Sequence, residues 1–174
     1  IEIGSLCGGS ALILAGALAE GSQITLIDLC DRGVTDKLEA SMAYLRDREG
    51  FSVSLIKAPS QAPETLAQVA AAVGTCGRAG LIHVDGCHHW QTVLADFGSY
   101  LPFLAPCGIM LFHDVVAPGG VHKAWEIIRE EARQAGLETR VVGGENWQHD
   151  KWATGIGYLA LPAQQGRDGD GALG

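Results

Sequence analysis

Residues 1–19 read IEIGSLCGGSALILAGALA, and this segment decides the fold. An apolar, strand-like start is followed by a glycine-rich turn and then by an apolar helical run. Where a helix begins after such a turn, backbone N–H groups and the helix dipole favour a negatively charged ligand group. The segment therefore predicts the first strand, turn and helix of an α/β fold with a nucleotide-like cofactor. Its candidate cofactor-binding residues are Glu2, Gly4, Ser5, Gly8 and Ser10.

The rest of the chain alternates short apolar or β-branched runs with longer helical patterns, which is typical of a parallel sheet covered by helices. The predicted strands are Ile1–Ile3, Ile24–Leu29, Phe51–Lys57, Gly80–Val84, Ile109–Phe112, Thr139–Val142 and Gly155–Leu161. The predicted helices are Ser10–Ala19, Asp36–Arg48, Ala62–Val73, Gln91–Leu104 and His122–Ala135. The last two strands leave no room for a helix between them, so we expect them to pair antiparallel. We therefore predict an α/β fold with a Rossmann-like, doubly wound, seven-stranded, mostly parallel sheet and an antiparallel last strand.

The length of 174 residues fits one domain. We assign residues 1–162 to it, and we expect its N-terminal part to be missing because Ile1 already lies inside a strand-like segment. Residues 163–174 read AQQGRDGDGALG and contain no aromatic side chain. A segment of this composition buries too little apolar surface to become ordered, so we predict a disordered tail.

Charge and cysteine content exclude several classes of function. The 20 acidic and 12 basic residues give a net charge of -8 without a basic patch, which argues against binding to nucleic acid or an anionic membrane. The chain also lacks an apolar run of the roughly 18 to 20 residues that a membrane helix needs. The five cysteines form no CxxC pair, so neither a disulfide framework nor a thiolate zinc site is indicated. We expect a cytoplasmic protein with a small-molecule partner, and the sequence leaves homo-oligomer formation open.

The glycine pattern of the first turn distinguishes between cofactors. A dinucleotide fingerprint that starts at Gly4 would need a second glycine where this chain has Leu6, and that glycine lets the backbone approach a pyrophosphate. Residues 2–10 instead resemble motif I of class I S-adenosylmethionine-dependent methyltransferases, E-x-G-x-x-x-G-x-S. Asp28 ends the second predicted strand, where a carboxylate can accept both ribose hydroxyls of either cofactor. The resemblance further implies that Ser60, after the third strand, lies near the adenine.

Polar residues follow the fourth and fifth predicted strands. Asp85 directly follows the fourth strand, and His113 and Asp114 follow the fifth. Carboxyl ends of neighbouring parallel strands meet at one edge of the sheet, where open α/β sheets bind their ligands. Two carboxylates and an imidazole are a suitable set for a divalent metal with positions left open for substrate. Because imidazole is softer than the ligands that magnesium prefers, manganese, iron, zinc or no metal remain alternatives to magnesium.

A more specific resemblance covers residues 1–161. The sequence DGCH at residues 85–88, the APCG turn at residues 105–108 and the His-Asp pair at residues 113–114 are similar to small-molecule methyltransferases related to the macrolide-sugar O-methyltransferases, and more distantly to catechol O-methyltransferase. The resemblance implies that Asp85, His113 and Asp114 bind magnesium and that His88 is the general base. We also count Asp85 among the cofactor-binding candidates. Many members of this group carry an acidic residue where this chain has Cys87, and the metal-dependent ones favour an oxygen ligand at His113.

The leading hypothesis is thus methyl transfer from S-adenosylmethionine to an oxygen of a natural product or sugar, assisted by a divalent metal. Three alternatives are an iron hydroxylase related to cephalosporin hydroxylase, an NAD-dependent oxidoreductase, which Leu6 disfavours, and a non-catalytic S-adenosylmethionine-binding module. The fold alone does not decide between them. We interpret His83, His89 and His122 as hydrogen-bonded structural residues, and Trp147 and Trp152 as packing beneath their loop.

Overall fold

The computed structural model describes residues 1–74, 77–145 and 155–163. Helices and strands alternate along the chain in the order β1 (Glu2–Ile3), α1 (Gly9–Ala15), β2 (Gln23–Asp28), α2 (Thr35–Glu49), β3 (Ser52–Lys57), α3 (Pro63–Ala72), β4 (Ala79–Val84), α4 (Trp90–Tyr100), a 3-10 helix (Leu101–Phe103), β5 (Leu104–His113), α5 (Gly120–Gln134), β6 (Glu138–Val142) and β7 (Ile156–Ala160). The predicted tail beyond residue 163 lies outside the described residues, as do Trp147 and Trp152.

The strands form one seven-stranded sheet in the order β3-β2-β1-β4-β5-β7-β6. All pairs from β3 to β5 are parallel, whereas β7 is antiparallel to both β5 and β6. The prediction of a mostly parallel sheet with an antiparallel last strand is therefore confirmed. β1 lies in the middle of the five parallel strands although it has only two residues, and it places the start of the glycine-rich turn between the ends of β2 and β4.

The sheet is doubly wound, with one hydrophobic cluster on each face. The smaller cluster packs α1 and α2 against β2 and β3, and the larger one packs α3, α4 and α5 against the sheet, with Tyr100, Phe112, Trp125 and Leu159 at most 1% exposed. Adjacent positions of a strand point to opposite faces, so Ile3 joins the larger cluster while Glu2 faces the side of α1. Among the described helices, none is long and apolar enough to cross a membrane.

The junction between α4 and β5 differs from the prediction. The predicted helix Gln91–Leu104 ends as α4 at Tyr100, because Pro102 has no N–H for a further helical hydrogen bond. The strand begins at Leu104 rather than Ile109. Ala79 of β4 pairs with Leu104, but Leu81 pairs with Ile109, so the register between the two strands shifts in between. The predicted turn at residues 105–108 is therefore an irregularity within β5. A Cβ on Gly108 would lie 2.7 Å from the carbonyl oxygen of Ala105, so this turn requires glycine.

Candidate functional site

A cavity of about 960 Å³ opens at the carboxyl edge of the sheet, above β1, β2, β3, β4 and β5. Parallel strands deliver the residues that follow them to this edge, and the sequence patterns at the ends of five strands therefore meet in one place. The predicted site residues that line the cavity are Gly4, Asp28, Ser60, Asp85, His88, His113 and Asp114.

Glu2, Ser5, Gly8 and Ser10 are not among the described residues that line the cavity, and their assignment to the cofactor stays a prediction. Glu2 stands opposite His83 in the β1–β4 register, and its Oε1 lies 3.0 Å from Nδ1 of that buried histidine. Ser5 is buried, and its hydroxyl has no hydrogen-bond partner among the described residues. Gly8 packs so closely that a Cβ would lie 2.7 Å from Cβ of Ser41.

Hydrogen bonds to the carboxylate of Asp28 connect the glycine-rich turn to the end of β2. Its Oδ2 accepts a hydrogen bond from the N–H of Leu6 at 2.8 Å, and its Oδ1 accepts one from the N–H of Cys30 at 2.6 Å. Leu6 and Cys30 both have positive φ angles, 47° and 56°, a conformation that costs non-glycine residues energy. The carboxylate therefore stabilises two strained turns at the cavity wall, in addition to the ribose contact that the sequence predicts for it.

The opposite end of the cavity holds a cluster of acids and imidazoles. Nδ1 of His113 lies 2.9 Å from Oδ1 of Asp114 and 3.6 Å from Oδ1 of Asp85. Nε2 of His88 lies 3.3 Å from Oδ2 of Asp114. Burial is the main cause of the raised pKa of Asp85, and the neighbouring His113 opposes it. The structure thus brings together all four residues that the sequence assigns to the chemical step.

This cluster fits a divalent metal. Potential ligand atoms of Asp85, His113 and Asp114 all lie within 4.8 Å of one another. Nδ1 of His113 is buried and makes no well-aligned hydrogen bond to any described residue, although Asp114 is near. A buried ring nitrogen without a hydrogen bond is costly, and coordination to a cation beside two carboxylates would satisfy it.

The part of the cavity wall that follows β3 contains a hydrogen-bond network. Of its members, the sequence predicted only Ser60 as a site residue. Ser60 Oγ donates to Oδ1 of Asp96 at 2.7 Å, and Gln61 Nε2 contacts the same oxygen at 3.3 Å. Burial raises the pKa of Asp96, and the hydrogen bonds from Ser60 and Gln61 lower it in part. Asp96 lies on the buried face of α4 beside Val93, Phe97 and Tyr100. An acid on an apolar helical face needs a partner, and this was the signal that could have revealed the network.

His83, His89 and His122 are predicted to be hydrogen-bonded structural residues, and two of the three make such a contact. His83 is paired with Glu2, as described above, and Nδ1 of His122 lies 2.8 Å from the carbonyl oxygen of Val115. His89, in contrast, is exposed and lines the cavity. Cys87 also lines the cavity.

A family model described as "Methyltransferase domain" matches residues 1–115. The O-methyltransferase from Bacillus cereus in complex with SAH superposes with a TM-score of 0.67 at 18% identity, covering 92% of this chain and 72% of that one. CalS11, the TDP-rhamnose 3'-O-methyltransferase of calicheamicin biosynthesis, gives a TM-score of 0.60 at 16% identity over 91% and 69% of the two chains. At such identities the likeness establishes the fold.

A curated relative, the uncharacterized protein y4gI of Sinorhizobium fredii (strain NBRC 101917 / NGR234), is 50% identical over 34 residues. That match spans 20% of this chain and 4% of the relative.

Proposed function

Because this chain belongs to the methyltransferase domain family, we propose that it transfers the methyl group of S-adenosylmethionine to a hydroxyl oxygen of a small molecule. One observation carries the proposal. A single cavity joins a carboxylate suited to a ribose, Asp28, to a cluster suited to an acceptor hydroxyl, Asp85, His113 and Asp114. A cofactor that lies between them would present its methyl group to the acceptor.

The chain's main task in this reaction is alignment. The sulfonium of S-adenosylmethionine supplies a methyl group that is already activated. Gly4 and Asp28 would hold the amino-acid and ribose parts of the cofactor, while Asp85 and Asp114 face the space left for the acceptor. Holding two reactants in line makes the step effectively unimolecular, which in well-oriented systems lowers the barrier by about 7 to 11 kcal/mol.

His88 would take the proton of the acceptor hydroxyl. Its Nε2 lies 3.3 Å from Oδ2 of Asp114. Asp114 would therefore stabilise the imidazolium that forms when the ring takes up the proton. The side chain is 59% exposed, so the proton can pass on to solvent after transfer.

Asp85, His113 and Asp114 would hold a divalent cation. Such a cation lowers the pKa of a hydroxyl bound to it, so that the proton leaves more easily at neutral pH. Magnesium is the leading candidate, with manganese or iron as alternatives because one ligand is an imidazole.

The acceptor that we propose is a natural product or a sugar. CalS11, which has the same fold, is a TDP-rhamnose 3'-O-methyltransferase. The net charge of -8 disfavours nucleic acid as the acceptor. The cavity of about 960 Å³ is large enough for a cofactor with a small acceptor beside it.

Calorimetric titration with S-adenosylhomocysteine, the product of the proposed reaction, tests the proposal. We expect micromolar binding by the wild-type protein, strong loss of binding in Asp28→Ala, and no binding of NAD. Asp47→Ala removes an exposed carboxylate of α2 outside the cavity and is the matched control, which should bind as the wild type does. Failure of the wild type to bind S-adenosylhomocysteine, or equal binding of NAD, would overturn the proposal.

A further inference from the structure

The start of α5 packs against the loop that carries His88. Gly120 is the first residue of α5, and a Cβ on it would overlap the carbonyl oxygen of His88 and lie 3.0 Å from the amide nitrogen of Trp90. Gly120 does not have a positive φ angle, so close packing, and not backbone conformation, requires glycine here. Any side chain at this position would push the two segments apart by about 1 Å.

A cation–π contact joins the same two segments at the end of the first turn of α5. Nζ of Lys123 lies 3.9 Å from the centroid of the Trp90 ring. Trp90 is the first residue of α4 and follows His88 by two positions. Because Lys123 is exposed and belongs to neither apolar cluster, this contact can be removed without opening the core.

The first turn of α5 also holds the segment that carries Asp114, the partner of the His88 imidazole. Nδ1 of His122 lies 2.8 Å from the carbonyl oxygen of Val115, the residue that directly follows Asp114. Val115 is itself 1% exposed, so this segment is anchored in the core. Both residues of the His88–Asp114 contact are therefore held by main-chain contacts to one helical turn.

We propose that Gly120 and Lys123 are positioning residues, which hold the His88 loop against the start of α5 and thereby keep the His88 imidazole at Asp114. The inference rests on the proposed function, since it assumes that His88 takes up the acceptor's proton. The imidazole is 59% exposed, so its position depends on its main chain more than on packing around the ring. A displacement of about 1 Å can lower a catalytic rate about 10²-fold.

NMR spectra at one fixed pH, with a chelator present, test the positioning without an acceptor. The Cε1–H resonance of His88 is identified by its absence in His88→Gln, and Asp114→Asn shows where it lies when the imidazole has lost the carboxylate. We expect the resonance to move toward that position in Gly120→Ala and, by a smaller amount, in Lys123→Met.

Two matched variants serve as controls for these spectra. Lys123→Arg keeps a cation for the Trp90 ring and should keep the wild-type resonance of His88. Gly98→Ala is a glycine replacement in α4 at which a Cβ meets nothing within 4 Å, and it should leave the resonance in place.

Kinetics with the first acceptor found by screening test the consequence for catalysis. Gly120→Ala should lower kcat about 10²-fold and Lys123→Met about two- to fivefold, while the dissociation constant of S-adenosylhomocysteine stays unchanged. In the His88→Gln background neither substitution should lower kcat further, because the group that they position is gone. A purely structural role would instead lower kcat by the same factor in both backgrounds.

Lys123→Met, at an exposed position, carries the test alone where Gly120→Ala does not fold. An unmoved His88 resonance in the folded variants, or an equal loss of kcat with and without His88, would overturn this inference while the proposed function stands. A wild type that does not bind S-adenosylhomocysteine would overturn the proposed function and the inference with it.

Discussion

The backbone of Gly4 lies directly against the backbone of Asp85, so that a Cβ on Gly4 would overlap the carbonyl oxygen of Asp85. This contact joins the turn after β1 to the end of β4. One of these residues begins the cofactor turn and the other belongs to the acid and imidazole cluster. The two ends of the candidate site are therefore positioned by one contact between main chains.

Gly4→Ala should destabilise the protein and impair ligand binding together. The φ angle of Gly4 is +84°, a conformation that costs an L-residue about 1 to 2 kcal/mol, and the overlap with Asp85 adds to this cost. We expect the free energy of unfolding in urea to fall by more than about 2 kcal/mol. Gly9→Ala is the control, because a Cβ there meets nothing within 4 Å and alanine favours the helix. Equal stability of the two variants would contradict this account.

The stability of the protein should depend on pH through Asp96. Burial raises the pKa of this carboxyl in the folded state, so the folded protein binds its proton more tightly than the unfolded chain does. Its contribution is fully present below the unfolded pKa of about 3.9 and is lost as the pH rises through the higher, folded pKa. Urea unfolding between pH 4 and 7 should show the wild type losing stability relative to Asp96→Asn as the pH rises. A wild type that instead gains stability relative to Asp96→Asn as the pH rises would show that the folded protein stabilises Asp96 as a carboxylate.

His88→Gln should slow catalysis without weakening cofactor binding. Loss of a general base typically lowers kcat by about 10² to 10⁴-fold, and glutamine cannot take up the acceptor's proton at neutral pH. Rates would be measured with the first acceptor found by screening hydroxylated small molecules. The dissociation constant of S-adenosylhomocysteine should stay unchanged. An unchanged kcat would remove His88 from the chemical step.

His113→Asp should change the metal preference. Imidazole is a poorer ligand for magnesium than for manganese, because magnesium prefers oxygen ligands. A third carboxylate should therefore raise magnesium affinity more than manganese affinity. Calorimetric titration with each ion measures both effects, and Cys87→Ser is the control at a neighbouring cavity residue. A wild type that binds neither ion would contradict the metal hypothesis while leaving cofactor binding testable.

The sequence predicted those parts of the site that lie at strand ends. Asp28 and His113 end their strands and Asp85 directly follows β4, and the parallel arrangement alone brings such residues to one edge. Glu2 begins the glycine motif that resembles a cofactor-binding turn, and its pairing with His83 could not be predicted because it depends on the register between β1 and β4. The position of Asp96 on an apolar helical face indicates that it needs a partner. The pattern does not identify that partner, because Ser60 and Gln61 are 36 and 35 positions away in the chain.

The shortness of β1 affects how the molecule opens. This strand contributes two residues to each of its ladders, so few ladder hydrogen bonds join β2 and β3 to the rest of the sheet. Ile27 and Ile56 of these two strands belong to the larger apolar cluster, and we expect their packing to be what mainly opposes opening of the sheet at β1. A nucleoside bound to Asp28 on one side and to Asp85 on the other would span this boundary. Ligand binding should therefore slow amide hydrogen exchange most along β1 and its neighbours β2 and β4, which lie beneath the cavity.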